Sequence, residues 1–555
     1  MAPKAQILAL SATIKNAKEL ADWLNAALFI SDFRPVKLYE GVSTDSEIRF
    51  HGKEGYKIAD GEDEGLALHT IGLGKQALFF VATRRSAESL AERISTRTKL
   101  HIAKSDQQQL SKLADEIENV LESPTHQCKK LAKCIRGGAA FHHAGLLRKQ
   151  KSLIEENFRK GVVKIITSTP TLAMGVNLPA WRVVIRDAKR YYPGVGSTYI
   201  PVLDYKQMVG RAGRPQYDSF GESILMAKSE EDSYDLEERY INGETEDIIS
   251  KLSLEPILRT HTLALVASGF CKTKESLLDF FSKTFYAFHY GDMTDIKDKI
   301  SYTIDMLSDW GFITARNGKL SPTLIGKRVS DLYIDPLTAR NFISSLDKAS
   351  KKQISEFGII QTINNALEMK PLIGVKSGEQ ESVQSRIISD YNSILQDIPE
   401  EYDYEFDDFL KSIKMTMLFE EWMGESTDEQ LLDKYNIAPG EMRGKLQVAN
   451  WLLYSIHELS MLKRYEEITK YIRKVRVRMM YGVKEELLPL VKLKGIGRVR
   501  ARKLFNAGLR TIESLKEAQL SRLSVIIGLS VAQSVKNQLE GKQPEEQTTL
   551  SKPGK

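Results

Sequence analysis

Residues 165–215 read IITSTPTLAMGVNLPAWRVVIRDAKRYYPGVGSTYIPVLDYKQMVGRAGRP. The stretch opens on a short apolar run that predicts a buried strand over 162–167. A second such run, Val183-Val-Ile185, follows. It closes on Gln207-Met-Val-Gly-Arg-Ala-Gly-Arg214, which sets two arginines three residues apart beside two glycines. On a helix that spacing puts both guanidiniums on one face. Arginine suits bidentate phosphate contact and keeps its proton at working pH. Presented across a cleft, it can neutralise charge on a transferring phosphoryl group.

Further pieces lie upstream. Leu10-Ser-Ala-Thr13 follows an apolar run. Leu78-Phe-Phe-Val-Ala-Thr-Arg-Arg85 is strand-like and ends in hydroxyl and guanidinium groups. Phe141-His-His-Ala-Gly-Leu146 and Thr167-Ser-Thr-Pro-Thr-Leu-Ala-Met-Gly-Val-Asn-Leu-Pro179 come next. In this order the pieces resemble motifs III, IV, IVa, V and VI of superfamily 2 helicases. Gln207, Gly210, Arg211 and Arg214 fit Q-x-x-G-R-x-x-R. Over essentially the whole chain the sequence is similar to the archaeal Hjm/HelQ-type DNA helicases.

The resemblance implies roles for named residues. Gln207, Arg211 and Arg214 would face ATP as the catalytic and nucleotide-binding groups, with Gly175 and Asn177 between nucleotide and DNA. Ser11 and Thr13 would couple nucleotide state to DNA grip. Thr83, Arg84, His142, His143 and Thr169 would face the DNA backbone. The sequence contains no GxxxxGK(S/T) loop to cradle phosphates and no D-E-x-H box to hold Mg2+. The resemblance places both upstream of motif III. The expectation is therefore a helicase lacking most of its first motor domain, which does not hydrolyse ATP alone and needs that domain to bind ATP and Mg2+ fully.

Composition is that of an ordinary soluble protein: 555 residues, 42% hydrophobic, 27% charged, net charge +6. No apolar run is long enough to span a bilayer and no secretory segment opens the chain. Cys128, Cys134 and Cys271 form no metal spacing. His142 and His143 lack partner ligands nearby, so no metal site is expected. A reducing cytoplasm fits. The charge is uneven: residues 397–433 carry 13 acidic and 2 basic side chains, whereas 463–510 carry 15 basic and 4 acidic. The basic block suggests phosphate contact.

Taken in order, residues 1–35 predict a strand, Ser-Ala-Thr and a helix capped by Asn16; the resemblance implies that they are the remnant of a first RecA-like domain, which would need a partner to pack well. Residues 36–243 alternate strand and helix, a doubly wound RecA-like α/β domain with motifs at the strand ends. Within it, Pro193-Gly-Val-Gly196 between extended arms predicts a long hairpin. Tyr191 and Tyr192 could stack on a base at a duplex end, and the related helicases separate strands here. Residues 244–334, three helices and an Asn317-Gly318 hairpin, predict a winged helix. Residues 335–483 are helical. A long helix there carries Trp451, which matches the tryptophan of the related helicases' DNA-touching ratchet helix. The expected arginine position holds Gly444, with Arg443 beside it. Residues 484–541 resemble a helix-hairpin-helix, with Gly495-Ile-Gly497 ahead of Arg498, Arg500 and Arg502, the segment that grips exiting single strand in the family. Residues 542–555 read as a disordered tail.

The resemblance implies a monomeric, ATP-dependent helicase moving 3′ to 5′ on single-stranded or forked DNA in fork repair and recombination, with replication or recombination proteins as further partners. The alternatives are an RNA helicase of the exosome or spliceosome type, which the helix-hairpin-helix argues against, and a non-catalytic DNA-binding fragment or regulatory subunit.

Overall fold

The computed structural model describes residues 5–11, 14–58, 62–192, 195–291 and 294–541. The chain divides into two compact units. The first gathers residues 1–253, 280–294 and 438–441; the second gathers 254–279, 295–437 and 442–555.

The first unit is built on an eight-stranded sheet. Its strands are β1 (Lys37–Thr44), β2 (Glu47–Phe50), β3 (Lys53–Lys57), β4 (Ala77–Phe80), β5 (Ala139–His142), β6 (Ile165–Ser168), β7 (Arg182–Ile185) and, after a separate hairpin β8 (Lys189–Tyr192) and β9 (Gly196–Tyr199), β10 (Phe220–Met226). The order is β3-β2-β1-β10-β7-β4-β6-β5. Every pairing from β1 to β5 is parallel; β2 and β3 add an antiparallel edge. Strands β4 to β7 are buried at every position, which is why they read as mostly apolar, without the alternation of a half-exposed strand. The antiparallel edge departs from the plain alternation of strand and helix that the sequence predicts over 36–243. Its strands are short and half exposed, so their hydrophobic signal is weak.

The strand expected ahead of Ser11 is not formed. Residues 5–11 form no strand pairing among the described residues, and Ile7, Leu8 and Leu10 are exposed. A strand without a neighbour leaves its amides and carbonyls unpaired. The helix Ala17–Leu24 does form, and packs through Trp23 on Phe285, with the indole N–H on the Lys283 carbonyl at 3.0 Å. Asn16 stands at the N-cap position, but its amide bonds Glu19 and the Ile248 carbonyl instead of capping the helix.

In the second unit the helix Glu255–Ala267 and most of Thr294–Asp309 accompany the hairpin β11 (Ile313–Arg316) and β12 (Lys319–Pro322). Its turn residues Asn317 and Gly318 have φ of 50° and 73°, the conformation the Asn-Gly pair predicts. A helical array follows: Pro336–Ala349, Glu356–Asn364, Phe406–Met423, Asp428–Tyr435, Pro439–Leu462 and Glu466–Tyr481. Five short helices between Leu488 and Leu539 close on their own apolar core, centred on Leu490, Leu504, Leu515 and Leu523. Among the described residues no helix is long and apolar enough to cross a membrane.

Candidate functional site

Arg211 and Arg214 do not share a helix face. The helix Val202–Val209 ends at Gly210, and the chain turns through Arg211 into a parallel bridge between Ala212 and Ala180: Ala180 N–H donates to the Arg211 carbonyl at 2.9 Å, and Gly213 N–H to the Ala180 carbonyl at 2.7 Å. The two guanidiniums therefore diverge. Arg211 reaches back to the motif V loop, donating from Nε to the Ala173 carbonyl at 3.2 Å and from Nη1 to Asn177 Oδ1 at 3.3 Å. Asn177 and Gly175 are exposed, and Gln207 and Arg211 are half-buried. Apart from its chain neighbours and its own helix backbone, no heavy atom among the described residues lies within 4 Å of where a side chain on Gly175 would begin. Arg214 turns into the structure: it grips Asp218 through Nε at 2.9 Å and Nη2 at 3.1 Å, and donates to Gln76 Oε1 at 2.7 Å. Burial would push the Asp218 carboxyl up, but hydrogen bonds from Arg214 and Lys75 outweigh it and hold it below the usual range. Gln76 sits just before β4, so Arg214 is anchored at the amino ends of the strands. Thr83, His142 and Thr169 lie at the carboxyl ends. The motifs occupy both edges of the sheet, not the carboxyl edge alone.

At that carboxyl edge the expected DNA contacts are reassigned. Thr83 is exposed, but its hydroxyl caps the helix Arg84–Thr98 by accepting from Ser86 N–H at 3.0 Å. His142 and His143 are 5% and 1% exposed and offer no surface to a DNA backbone. His142 Nε2 lies 3.0 Å from Glu155. His143 Nδ1 accepts from Gly145 N–H at 3.1 Å, which assigns its proton to Nε2, 3.3 Å from Glu88. Burial raises the Glu88 carboxyl, yet His143, Gln127 and Lys130 together bring it down to about 2. Arg84 pairs with Glu441 in the first turn of the helix Pro439–Leu462. Residues 438–441 seat on the 144–146 loop: Gly440 N–H donates to the Gly145 carbonyl at 2.9 Å, and a side chain on Gly440 would collide with the Leu146 carbonyl. Thr169 remains half exposed, its hydroxyl 3.0 Å from that of Thr171.

The hairpin β8–β9 is shorter than predicted, four residues in each arm, with Lys189 opposite Tyr199 and Tyr192 opposite Gly196. Tyr191 is 70% exposed, and Tyr192 is half-buried. Pro193 and Gly194 of the turn lie outside the described residues, as do Thr13 and the 542–555 tail. Ser11 is exposed.

In the second unit the arginines meet protein carboxylates. Trp422, 3% exposed, is the hub. Its indole N–H donates to the Met479 carbonyl at 2.7 Å. The guanidinium carbons of Arg498 and Arg443 lie 4.1 and 4.7 Å from its ring. Gly482, at φ +63°, closes another side, and a side chain there would come within 2.5 Å of the ring. Arg498 and Arg443 both pair with Asp428, at 2.9 and 3.2 Å. Arg502 grips Glu425 at 2.6 Å and Glu486 at 2.8 Å. Arg500, half-buried, donates to the Gly495 carbonyl at 3.1 Å. Trp451 is half-buried, with its indole N–H on the Leu332 carbonyl at 2.9 Å.

Three family models match separate stretches: the helicase conserved C-terminal domain over 116–216, archaeal helicase domain 4 over 357–482, and a SAM-like helix-hairpin-helix tandem over 487–540. Curated relatives extend the match over most of the chain. The ATP-dependent DNA helicase Hel308 of Methanocella arvoryzae is 40% identical over 96% of this chain and 72% of its own length. Those of Pyrococcus horikoshii and Pyrococcus abyssi are 38% and 39% identical over 95% of this chain and 72% of theirs. The chain belongs to the Hel308 helicase family. Within this Hel308-family chain, sequence reasoning missed several structural groups. Asp428, Glu425, Trp422 and Glu441 were invisible because their partners lie up to 357 residues away. Arg182 was missed too. It is fully buried, and bonds Glu222 at 2.6 Å, Thr70 at 2.8 Å and Tyr56 at 2.5 Å. The one available signal was a lone cation in the otherwise apolar run 180–185, since buried charges are paired.

Proposed function

We propose that this chain carries the second motor surface and the DNA-gripping part of an ATP-dependent DNA helicase of the Hjm/HelQ type, moving 3′ to 5′ on single-stranded or forked DNA in replication-fork repair and recombination. The observation that carries the reading is Arg211 held against Asn177 beside the open Gly175. It is a preset guanidinium on a surface with room for a phosphate. ATP bound there would supply the free energy for movement along the strand. Gln207, Arg211 and Asn177 are the groups this chain offers to it; Arg214 braces the 210–218 turn that carries Arg211 through Asp218 and Gln76. The D-E-x-H carboxylates that would hold Mg2+, and the phosphate-cradling loop, are not among these 555 residues. We therefore read 1–35 as the end of a first motor domain, 36–243 as the second, 244–334 as a winged helix, 335–483 as the ratchet domain with Trp451 facing the strand, and 484–541 as the helix-hairpin-helix. The protein acts as a monomer in the cytoplasm.

The test is ATP hydrolysis by the 555-residue chain, with and without single-stranded DNA, beside a DNA-binding titration across salt. The expected result is binding with a steep salt slope and no turnover. DNA-stimulated turnover abolished by Arg211→Ala would overturn the claim that this chain lacks a complete nucleotide site. Absence of DNA binding would overturn the helicase reading of its second half.

A further inference from the structure

The basic block at 463–510 divides once its partners are known. The helix Glu466–Tyr481 carries five cations. Lys470 pairs with Glu467, Lys474 with Glu485 and Arg478 with Glu356. Arg473 and Arg476 have no carboxylate partner among the described residues. Arg473 is exposed. Arg476 is held by a neutral group, donating from Nε to Asn450 Oδ1 at 2.7 Å, with its guanidinium carbon 5.0 Å from the Tyr454 ring. Residues 473, 476, 477 and 480 recur at i, i+3, i+4, i+7, so they line one face of the helix. That face and Asn450 of the neighbouring helix bound a groove of about 420 Å³, lined by Asn450, Arg473, Arg476, Val477, Met480 and Tyr481. Met480 and Tyr481 stand 45% and 41% exposed at its end.

We propose that this groove is a binding site for the backbone of single-stranded DNA, separate from Trp451 and from the arginines at 498–502. The inference rests on the DNA-helicase reading above. Two guanidiniums without carboxylates, one fixed in direction by an amide that leaves its charge unneutralised, supply phosphate recognition. A flexible thioether and an aromatic ring beside them supply an apolar surface for an unstacked base. Duplex DNA keeps its bases inside and would leave that surface unused, so the combination selects a single strand.

The experiment is an anisotropy titration of a labelled oligothymidylate and of a labelled duplex against the 555-residue chain, repeated across salt. The variants are Arg473→Ala with Arg476→Ala, the same pair changed to Lys, Tyr481→Ala, and Lys470→Ala as a carboxylate-paired control on the same helix. The double alanine variant is expected to bind the single strand about tenfold more weakly and to lose about 0.7 of log–log salt slope per contact removed. The lysine pair keeps the slope. Tyr481→Ala loses roughly fivefold or more with the slope unchanged, and Lys470→Ala stays at the wild-type value. An unchanged melting temperature certifies that the variants fold. If the wild-type chain binds and the double variant matches it in affinity and slope, the groove assignment is wrong while the helicase reading stands. Loss confined to the duplex also overturns it. No binding by the wild-type chain at any salt sinks both.

Discussion

At the residue scale, tertiary partners decide what a charged or aromatic side chain does. Glu88 is the clearest case. Its carboxyl is held at about 2, against a usual value of 4.5, mainly by His143 and Gln127 working against burial. A carboxyl depressed in the folded state adds stability above pH 4.5 and loses it as the pH falls from 4.5 towards 2. Glu88→Gln should therefore flatten the acid limb of the stability profile in that window, read as the melting temperature against pH; an unaltered limb would refute the pairing. Trp422 is the second case. It fills a closed site between Gly482, Arg443 and Arg498, so truncation leaves both a cavity and two guanidiniums without their ring. Trp422→Ala should destabilise the second unit by about 3–5 kcal/mol, measured from its urea midpoint.

At the scale of elements, the motif segments serve each other before they serve a ligand. The 142–146 loop and Arg84 hold the first turn of the helix Pro439–Leu462, an arrangement no local pattern could announce. The hairpin β8–β9 is different, because it projects a 70% exposed tyrosine and pairs only with itself. On the helicase reading proposed above, Tyr191→Ala with Tyr192→Ala should cut strand unwinding several-fold more than ATP turnover, in paired gel and phosphate-release assays of a form that hydrolyses ATP. Equal loss of both would argue against a strand-separating role.

At the scale of the whole molecule, the acidic block 397–433 and the basic block 463–510 fold onto one another in the second unit. Asp428 and Glu425 of the first neutralise Arg498 and Arg502 of the second. Much of the positive charge that the sequence offered as a nucleic-acid footprint is thus spent within the protein, and what remains uncovered includes Arg473 and Arg476. Asp428→Asn with Glu425→Gln and Glu486→Gln should release Arg498 and Arg502 from their carboxylates. The salt slope for single-stranded DNA should then steepen by about 0.7 for each arginine that gains a phosphate. An unchanged slope would mean that these arginines are structural alone.

The sequence by itself determined the parallel α/β sheet, the Asn-Gly hairpin and a long helix from Glu441 to about Leu462, and its Gly-rich turn at 495–497 resembled a helix-hairpin-helix. Hydrophobic runs, turn residues and periodicity are local properties that survive without knowledge of neighbours. It also singled out Arg211 and Asn177 through a resemblance, and the structure sets the two side chains 3.3 Å apart. Only the tertiary structure decided that Arg211 and Arg214 diverge, that His142 and His143 are buried, that residues 5–11 stay unpaired, and which arginines face carboxylates. The physical reason is common to all four. Whether a backbone edge is paired, a ring is buried or a charge is neutralised depends on groups distant in sequence. A residue's type and spacing carry no record of those groups.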